Sequence, residues 1–224
     1  MINYTTQVYV GVERFNLSNK MSTVLLSTAY LPNIKYLSQV LNYDVVVLEK
    51  CEHFVKQTYR NRCEILTSNG KLSLSIPLVK QADKELIADK KISYTEDWQK
   101  QHWRAITSAY KNSPYFEFFE DEFKLFYENK FELLFDYNTQ LLQAILHILR
   151  VKKQIEFTSQ FDINPSNSSD LRMLSDISSS DNIFAKSYYQ VFADKQGFTP
   201  NLSCLDALFN IGLETINISQ TLII

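Results

Sequence analysis

A strand–helix–strand pattern near the start of the chain limits the folds that this sequence can adopt. The run STVLLS has a compact apolar core from Val24 to Leu26, and YDVVVLE is a second, valine-rich run; both are typical of buried strands. Between them, NIKYLSQVLN repeats its apolar residues at helical spacing behind Asn33, a residue that suits an N-cap. Two strands joined through a helix within about thirty residues pair in parallel with a right-handed crossover. The chain is therefore predicted to have an α/β fold with a mainly parallel sheet.

The rest of the chain is predicted to add a β-hairpin and a covering helical layer. Asn69-Gly70 lies between two alternating runs and favours a tight turn with positive φ angles. Helical spacing of apolar residues recurs from about 95 to 150, and a short strand is predicted at 155–158. The Ser/Asn/Asp-rich stretch 164–182 is predicted to be a flexible surface loop with one short helix. Ser203 and Asp206 then have the spacing of a capping box for the last helix, which Gly212 ends.

Composition and length limit the class of protein. A chain of 224 residues, 45% of them hydrophobic, can bury one sizeable core. A net charge of −2 and the lack of a basic-aromatic surface pattern argue against nucleic acid as a partner. Cys51, Cys63 and Cys204 have no CxxC spacing, so neither a disulfide framework nor a metal site is predicted, and the longest apolar run is too short to span a bilayer. We predict a cytoplasmic protein in which residues 1–20 are an N-terminal extension and 21–224 are one α/β domain.

Two segments carry side chains that suit an anionic ligand. The loop from Ser27 to Pro32 joins the first strand to the first helix, and ligands bind at the carboxyl ends of parallel strands. Free N–H groups of the helix favour an anion there, and Ser27 and Thr28 add hydroxyl groups. On a strand, Arg60 and Arg62 would share one face, where two guanidinium groups can hold a phosphate or carboxylate. An ordinary strand–helix connection and a solvated strand edge are the alternatives.

His102 is the first candidate for acid/base chemistry. It lies one helical turn after Trp98, and an imidazole with an ordinary pKa near 6.5 can move protons at neutral pH. No Ser-His-Asp or H-x-x-x-H spacing accompanies it, so neither a catalytic triad nor a metal pair is indicated, and a packed histidine is the alternative. Asp206 and Asn210 lie one turn apart and can converge on one point, although a capping role also explains Asp206.

Four stretches of this chain together resemble the WbqC-like protein family. They are AYLPNIKYLSQVLNYDVVVLE, QTYRNRCEILTSNGKLSLSIPLVK, DWQKQHWRAITSAYKNSPYF and NLSCLDALFNIG, spread over about residues 23–212. The resemblance implies a cytoplasmic protein of surface polysaccharide or O-antigen assembly, with transfer of an aminoacyl or other small acyl group to an amino sugar as a suggested role. One departure is notable. The first motif of the family usually begins His-Gln-Pro, whereas Leu26, Ser27 and Thr28 occupy those positions here.

The resemblance completes the set of predicted site residues. Tyr189 and Gln190 match a short Tyr/Gln element of the family and can donate hydrogen bonds to a sugar. His102 and Asp206 are the predicted catalytic residues. The predicted substrate-binding residues are Ser27, Thr28, Tyr30, Tyr59, Arg60, Arg62, Trp98, Tyr189, Gln190 and Asn210.

The predicted function is transfer of a small acyl or aminoacyl group to a nucleotide-linked or lipid-linked sugar. The predicted partner is an anionic small molecule, namely a nucleotide, a nucleotide sugar or an acyl donor, and no cofactor is assigned. The alternative is a non-catalytic nucleotide-binding, sugar-binding or assembly factor. The loss of His-Gln-Pro favours that alternative.

Overall fold

The computed structural model describes residues 21–80, 85–176 and 186–220. The predicted N-terminal extension 1–20 and the end of the predicted loop, 177–182, lie outside the described residues. The described residues form a four-stranded parallel sheet and a two-stranded antiparallel sheet, with helices packed around them. The α/β fold class is therefore confirmed. The parallel sheet has the order β5-β2-β1-β6, with β1 at Thr23–Ser27, β2 at Val45–Glu49, β5 at Gln154–Phe157 and β6 at Ser169–Asp170.

The strand–helix–strand unit forms as its sequence pattern predicts. Strand β1 pairs in parallel with β2, from Thr23 opposite Val45 to Ser27 opposite Glu49. Helix α1 (Ile34–Asn42) connects them, and the Asn33 side chain accepts the first-turn N–H of Tyr36 at 2.9 Å. Both faces of these strands are covered, which is why their sequences are continuous apolar runs rather than alternating ones.

The hairpin is formed by β3 (Arg62–Thr67) and β4 (Gly70–Ser75), as expected, but its turn differs by one position. Thr67 pairs with Gly70, so the loop is Ser68-Asn69. Gly70 has a positive φ of +108°, whereas the φ of Asn69 is not positive. The Thr67 hydroxyl accepts the N–H of Asn69 and donates to the Gly70 carbonyl. These two bonds close the loop before Gly70, so the predicted Asn-Gly turn is wrong in its register.

The predicted helical layer is confirmed, and a small central helix ties it to the sheets. Phe209 is fully buried in that helix, with its ring 5.0 Å from Phe116 and 5.6 Å from Phe123 between centroids. Four phenylalanines at helical spacing, Phe116, Phe119, Phe123 and Phe126, thus face the core, whereas Phe118 is exposed. The helices are α2 (Trp98–Tyr110), α3 (Phe116–Glu128), α4 (Leu134–Ile148), α5 (Ala193–Gln196), α6 (Cys204–Ile211) and α7 (Thr215–Gln220), with 3-10 turns at Ile87–Asp89, Arg172–Ser175 and Gly212–Glu214.

The predicted loop contains regular structure in its described part. Strand β6 pairs with β1 in parallel, with Val24 opposite Ser169, and the Arg172–Ser175 turn follows it. Both residues of β6 are polar and exposed, so no apolar alternation marks the strand in the sequence. The short strand forms because β1 supplies its hydrogen bonds, which is a tertiary effect. Within the described ranges, none of the helices is long and apolar enough to cross a membrane.

Candidate functional site

Polar side chains gather where the parallel strands end. Ser27 ends β1 directly opposite Glu49, which ends β2. Asp170 ends β6, and Thr158 follows β5 by one residue. Because the carboxyl ends of parallel strands meet at one edge of a sheet, these side chains lie on the side where α/β proteins bind ligands. We call this region the carboxyl edge.

Arg60 is the centre of one ionic network at the carboxyl edge. Its Nε and Nη2 atoms donate to the two oxygens of Glu52, each at 2.9 Å. Nη2 also donates to the Ser27 hydroxyl at 2.9 Å, and Nη1 donates to Asp176 at 3.2 Å. Burial by itself lowers the pKa of Arg60, but the bonds to Glu52 and Asp176 raise it above its ordinary value. The guanidinium therefore stays charged inside the protein.

A second network lies beside the first and is centred on Arg172. Its Nε and Nη2 atoms donate to the two oxygens of Asp170, at 2.9 and 2.6 Å, and Nη1 donates to Glu49 at 3.2 Å. Glu49 is fully buried and also accepts from the Thr158 hydroxyl at 2.6 Å and the Cys51 N–H at 2.8 Å. A buried carboxylate is tolerated only with such a complete set of donors.

The charge balance of the two networks bears on the kind of ligand that fits there. Four carboxylates, of Glu49, Glu52, Asp170 and Asp176, surround two guanidinium groups. Both guanidinium groups already bind carboxylates of the protein, so a phosphate would have to displace one. Hydroxyl and amino groups, which donate hydrogen bonds, match this excess of acceptors better.

The predicted two-arginine face does not form. Strand β3 begins at Arg62, whose Nε donates to the Ser75 hydroxyl at 3.0 Å on the more exposed side of the hairpin. Arg60 lies in the turn before the strand, and its side chain points into the protein. The alternation of a strand therefore does not extend back to Arg60. Tyr59 contributes through its backbone, because its carbonyl accepts the N–H of Tyr30 at 2.9 Å.

His102 lies among aromatic residues and is only 6% exposed. Its Nδ1 atom is 2.9 Å from the Tyr30 hydroxyl, which is 2.9 Å from the Tyr127 hydroxyl, and the Trp98 ring packs edge-on against the imidazole at 5.1 Å. Burial lowers the pKa of His102 to about 4, against a smaller opposite effect of a bond to the Ser75 backbone. The imidazole is neutral at pH 7, and this geometry matches a packed histidine. An acid/base role stays a prediction.

Asp206 is buried, but it does not cap its helix. The Ser203 hydroxyl accepts the N–H of Leu205 at 3.3 Å, while Asp206 accepts from Tyr188 and Gln190, each at 2.7 Å. The capping-box prediction is wrong because the Asp206 carboxylate binds Tyr188 and Gln190, which precede α5, and not the Ser203 N–H. Burial raises the pKa of Asp206 to about 6, against the lowering effect of these hydrogen bonds.

Of the predicted site residues near Asp206, only Gln190 binds its carboxylate. Gln190 is buried against it, whereas Tyr189 is 58% exposed. The Asn210 side-chain amide donates to the Asp206 backbone carbonyl at 2.7 Å, within its own helix. The Asn210 amide group thus binds the Asp206 backbone and not the Asp206 carboxylate. Of the predicted residues, the structure brings Ser27 to Arg60, Tyr30 and Trp98 to His102, and Gln190 to Asp206.

Five charged residues of the carboxyl edge, Glu49, Glu52, Asp170, Arg172 and Asp176, were missed by the sequence predictions. Glu49 had a readable signal, since it ends an otherwise apolar strand. Glu52, Asp170, Arg172 and Asp176 had none, because each lies in an irregular or polar stretch of the sequence. No cluster of His, Cys, Asp or Glu with metal-binding geometry occurs within residues 21–80, 85–176 and 186–220.

Comparison with known proteins gives a family match and one distant relative. The sequence profile of the WbqC-like protein family matches residues 28–190, a range that includes Glu49, Glu52, Arg60 and Arg172. The uncharacterized protein Rv1507c of Mycobacterium tuberculosis is 26% identical over 217 residues, which covers 85% of this chain and 94% of that protein. No solved structure matches the chain.

Proposed function

The chain belongs to the WbqC-like protein family, and on that premise we propose that it is a transferase of surface-polysaccharide assembly. It moves a small acyl or aminoacyl group to a nucleotide-linked or lipid-linked sugar held at the carboxyl edge. The observation that carries this proposal is the pair of ionic networks at that edge. Burying charged groups costs free energy, and such groups are often retained where a ligand has to be positioned. An excess of carboxylate oxygens also suits the hydroxyl and amino groups of a sugar.

Asp176 is the residue that we assign to proton transfer. Its side chain is 46% exposed, compared with 9% for Glu52 and 0% for Glu49, so a substrate can reach it. Arg60 holds its carboxylate in position at 3.2 Å. The acceptor's amino or hydroxyl group forms a bond to the acyl carbon, the bond from that carbon to the donor's leaving group breaks, and Asp176 takes the acceptor's proton. Arg60 is a positioning residue in this scheme, which assigns no step to His102, whose acid/base role stays a prediction.

The first experiment is a thermal-shift screen of the purified protein. The panel contains nucleotides, nucleotide sugars, coenzyme A esters and aminoacyl adenylate mimics. A ligand at about a hundredfold excess over its Kd should stabilise the fold by about 2.7 kcal/mol. Binding that is lost in Arg60→Met/Glu52→Leu, a double variant that should keep most of the fold's stability, but kept in Arg62→Met would support the carboxyl edge as the site. A well-folded protein that binds no member of the panel would contradict the proposal.

The second experiment separates binding from catalysis. Donor and acceptor hits are incubated with the protein, and the acylated sugar is measured by mass spectrometry. Asp176→Asn should keep ligand affinity and lose about 10²–10⁴-fold in rate, the usual contribution of a general base. Asp162→Asn, at an exposed acid outside the networks, is the matched control and should keep full activity. Full turnover by Asp176→Asn would exclude the assigned role.

A non-catalytic binding or assembly factor is the second candidate. It is favoured because the buried charged groups already have partners within the protein. Arg60 binds Glu52, and Arg172 binds Asp170 and Glu49. Glu49 also accepts from the Thr158 hydroxyl. The neutral, buried His102 points in the same direction. A ligand that binds at the carboxyl edge and is recovered unchanged with every donor and acceptor combination would favour this candidate over the transferase.

A further inference from the structure

A cleft of about 550 Å³ lies between the start of α2 and the end of α3. None of its lining residues belongs to the ionic networks of the carboxyl edge. Its volume is within the range of about 300–1,000 Å³ that is typical of small-molecule sites. Three aromatic residues, Tyr94, Trp103 and Tyr127, form its walls, and the rim carries charges of both signs. The cleft therefore has the size and the mixed lining of a ligand site.

The aromatic walls are held in place from behind. The Trp103 ring stacks on Tyr127 at 5.4 Å between centroids, with 29° between the planes. The Tyr127 hydroxyl is fixed 2.9 Å from that of Tyr30 in the core. The Tyr94 hydroxyl donates to the Phe131 carbonyl at 3.0 Å and accepts the N–H of the same residue at 2.8 Å. The cleft is thus formed before any ligand arrives, which lowers the cost of binding.

A cation already lies against one of these walls. The ammonium nitrogen of Lys130 is 5.1 Å from the centroid of the Tyr94 ring, within the distance of a cation–π contact. Both residues line the cleft, so the contact is part of its wall. The position of Lys130 thus shows that the face of the Tyr94 ring attracts a positive charge.

The rim adds carboxylates to the aromatic faces. Glu96, Asp97 and Glu128 line the cleft, together with two lysines, Lys100 and Lys130. Asp97 pairs with Lys100 at 3.0 Å, and Glu128 pairs at 3.6 Å with Lys124, which lies outside the cleft. Of the carboxylates that line the cleft, Glu96 is therefore the one with no ion pair in the described part of the chain. A ligand group that enters the cleft meets aromatic faces and the Glu96 carboxylate.

We propose that this cleft binds a small organic ammonium ion. Its cationic head lies against Tyr94 and Trp103, displaces the ammonium group of Lys130, and is neutralised by Glu96. An anion would meet the Glu96 carboxylate and the negative faces of the rings, so the cleft favours a cation over an anion. This site does not depend on the proposed transferase function, and its test uses no enzymatic activity.

The test compares choline with 3,3-dimethylbutan-1-ol, an uncharged molecule of nearly the same shape. The chain has two tryptophans, Trp98 and Trp103, so a ¹⁵N-labelled sample gives two indole N–H signals. Trp103→Phe assigns them. Choline should shift the Trp103 signal saturably, and the neutral analogue should bind roughly 3- to 30-fold more weakly, the range of a cation–π contribution.

Charge variants give a second measurement that does not require Trp103→Phe to fold. Glu96→Gln should weaken choline binding in the wild-type tryptophan background, and Glu128→Gln should weaken it less because Glu128 is paired with Lys124. Lys130→Ala should strengthen it, because the Tyr94 face is then open. Lys152→Ala, at an exposed lysine outside the cleft, is the control and should change nothing. Equal binding of choline and its neutral analogue, preferential binding of acetate, or no shift with any probe would each overturn the proposal.

Discussion

His102 and Asp206 are buried ionisable side chains with opposite pKa shifts. The pKa of His102 falls from 6.5 to about 4, and that of Asp206 rises from 3.8 to about 6, in both cases mainly through burial. Burial disfavours the charged form of each group, and the charged form is the protonated one for histidine and the deprotonated one for aspartate. The stability of the fold therefore depends on pH in two opposing ways.

The pH dependence of unfolding should separate the two residues. As pH falls from 6.5 towards about 4, unfolded His102 binds a proton that folded His102 does not, so the free energy of unfolding decreases. As pH falls from about 6 towards 3.8, folded Asp206 binds a proton that unfolded Asp206 does not, so the free energy of unfolding increases. Each contribution has a slope of at most about 1.4 kcal/mol per pH unit.

Urea unfolding at about pH 7 and about pH 5 measures these contributions as differences from the wild type. His102→Gln should gain stability relative to the wild type at the lower pH, and Asp206→Asn should lose it. The same pH dependence in all three proteins would show that neither carboxylate nor imidazole has the predicted shift.

Helix α6 illustrates how an element is limited by its ends. Ser203 caps its start, and Gly212 ends it with a φ of +59°. A Cβ atom on Gly212 would lie 2.7 Å from the Tyr115 ring, which stacks on Phe119 at 6.3 Å between centroids. The Tyr115 backbone is held by its N–H, which donates to the Phe209 carbonyl at 2.9 Å. Both backbone conformation and packing therefore require glycine at this end of the helix.

Gly212→Ala should be more destabilising than Gly197→Ala. Both glycines have positive φ, so each substitution adds backbone strain of about 1–3 kcal/mol. A Cβ on Gly197 would meet no atom within 4 Å, whereas one on Gly212 would overlap Tyr115. Denaturant unfolding of the two variants isolates the packing contribution as their difference. Equal losses of stability would mean that Tyr115 moves aside without cost.

At the scale of the molecule, Arg60 joins parts of the chain that are far apart in sequence. It binds Ser27 at the end of β1, Glu52 after β2 and Asp176 after the Arg172–Ser175 turn. Its carbonyl also accepts from the side chain of Asn138 in α4 at 2.8 Å. One buried side chain therefore connects the parallel sheet to the segments that surround its carboxyl edge.

Arg60→Met should destabilise the whole fold by about 3–5 kcal/mol, because it leaves the buried Glu52 without its partner. Arg62→Met removes only a bond to Ser75 near the surface and should cost far less. Arg60→Met/Glu52→Leu should regain much of the loss, since replacing a buried pair by apolar side chains is often neutral. The measurement is the denaturant midpoint of each variant. A double variant as unstable as the single one would contradict this explanation.

The sequence by itself determined the parts of this protein that depend on local spacing. The apolar runs of β1 and β2, the helical period of α1 and the cap at Asn33 are properties of neighbouring residues, and burial follows from them. The motifs of the chain likewise identified its family. Of the candidate site, the sequence predicted the edge of the sheet, Ser27 and Arg60, but not the carboxylates that bind Arg60.

The tertiary structure alone decided which side chains meet. Strand β6 is two exposed polar residues that pair only because β1 lies beside them. Arg60 and Asp176 are 116 positions apart, and Asp206 bonds to Tyr188 and Gln190 instead of capping its helix. Spacing along the chain encodes which face of an element is buried. The partner of a buried charge is set by the packing of distant segments, because a desolvated charge requires whatever opposite charge or donor the fold brings within reach.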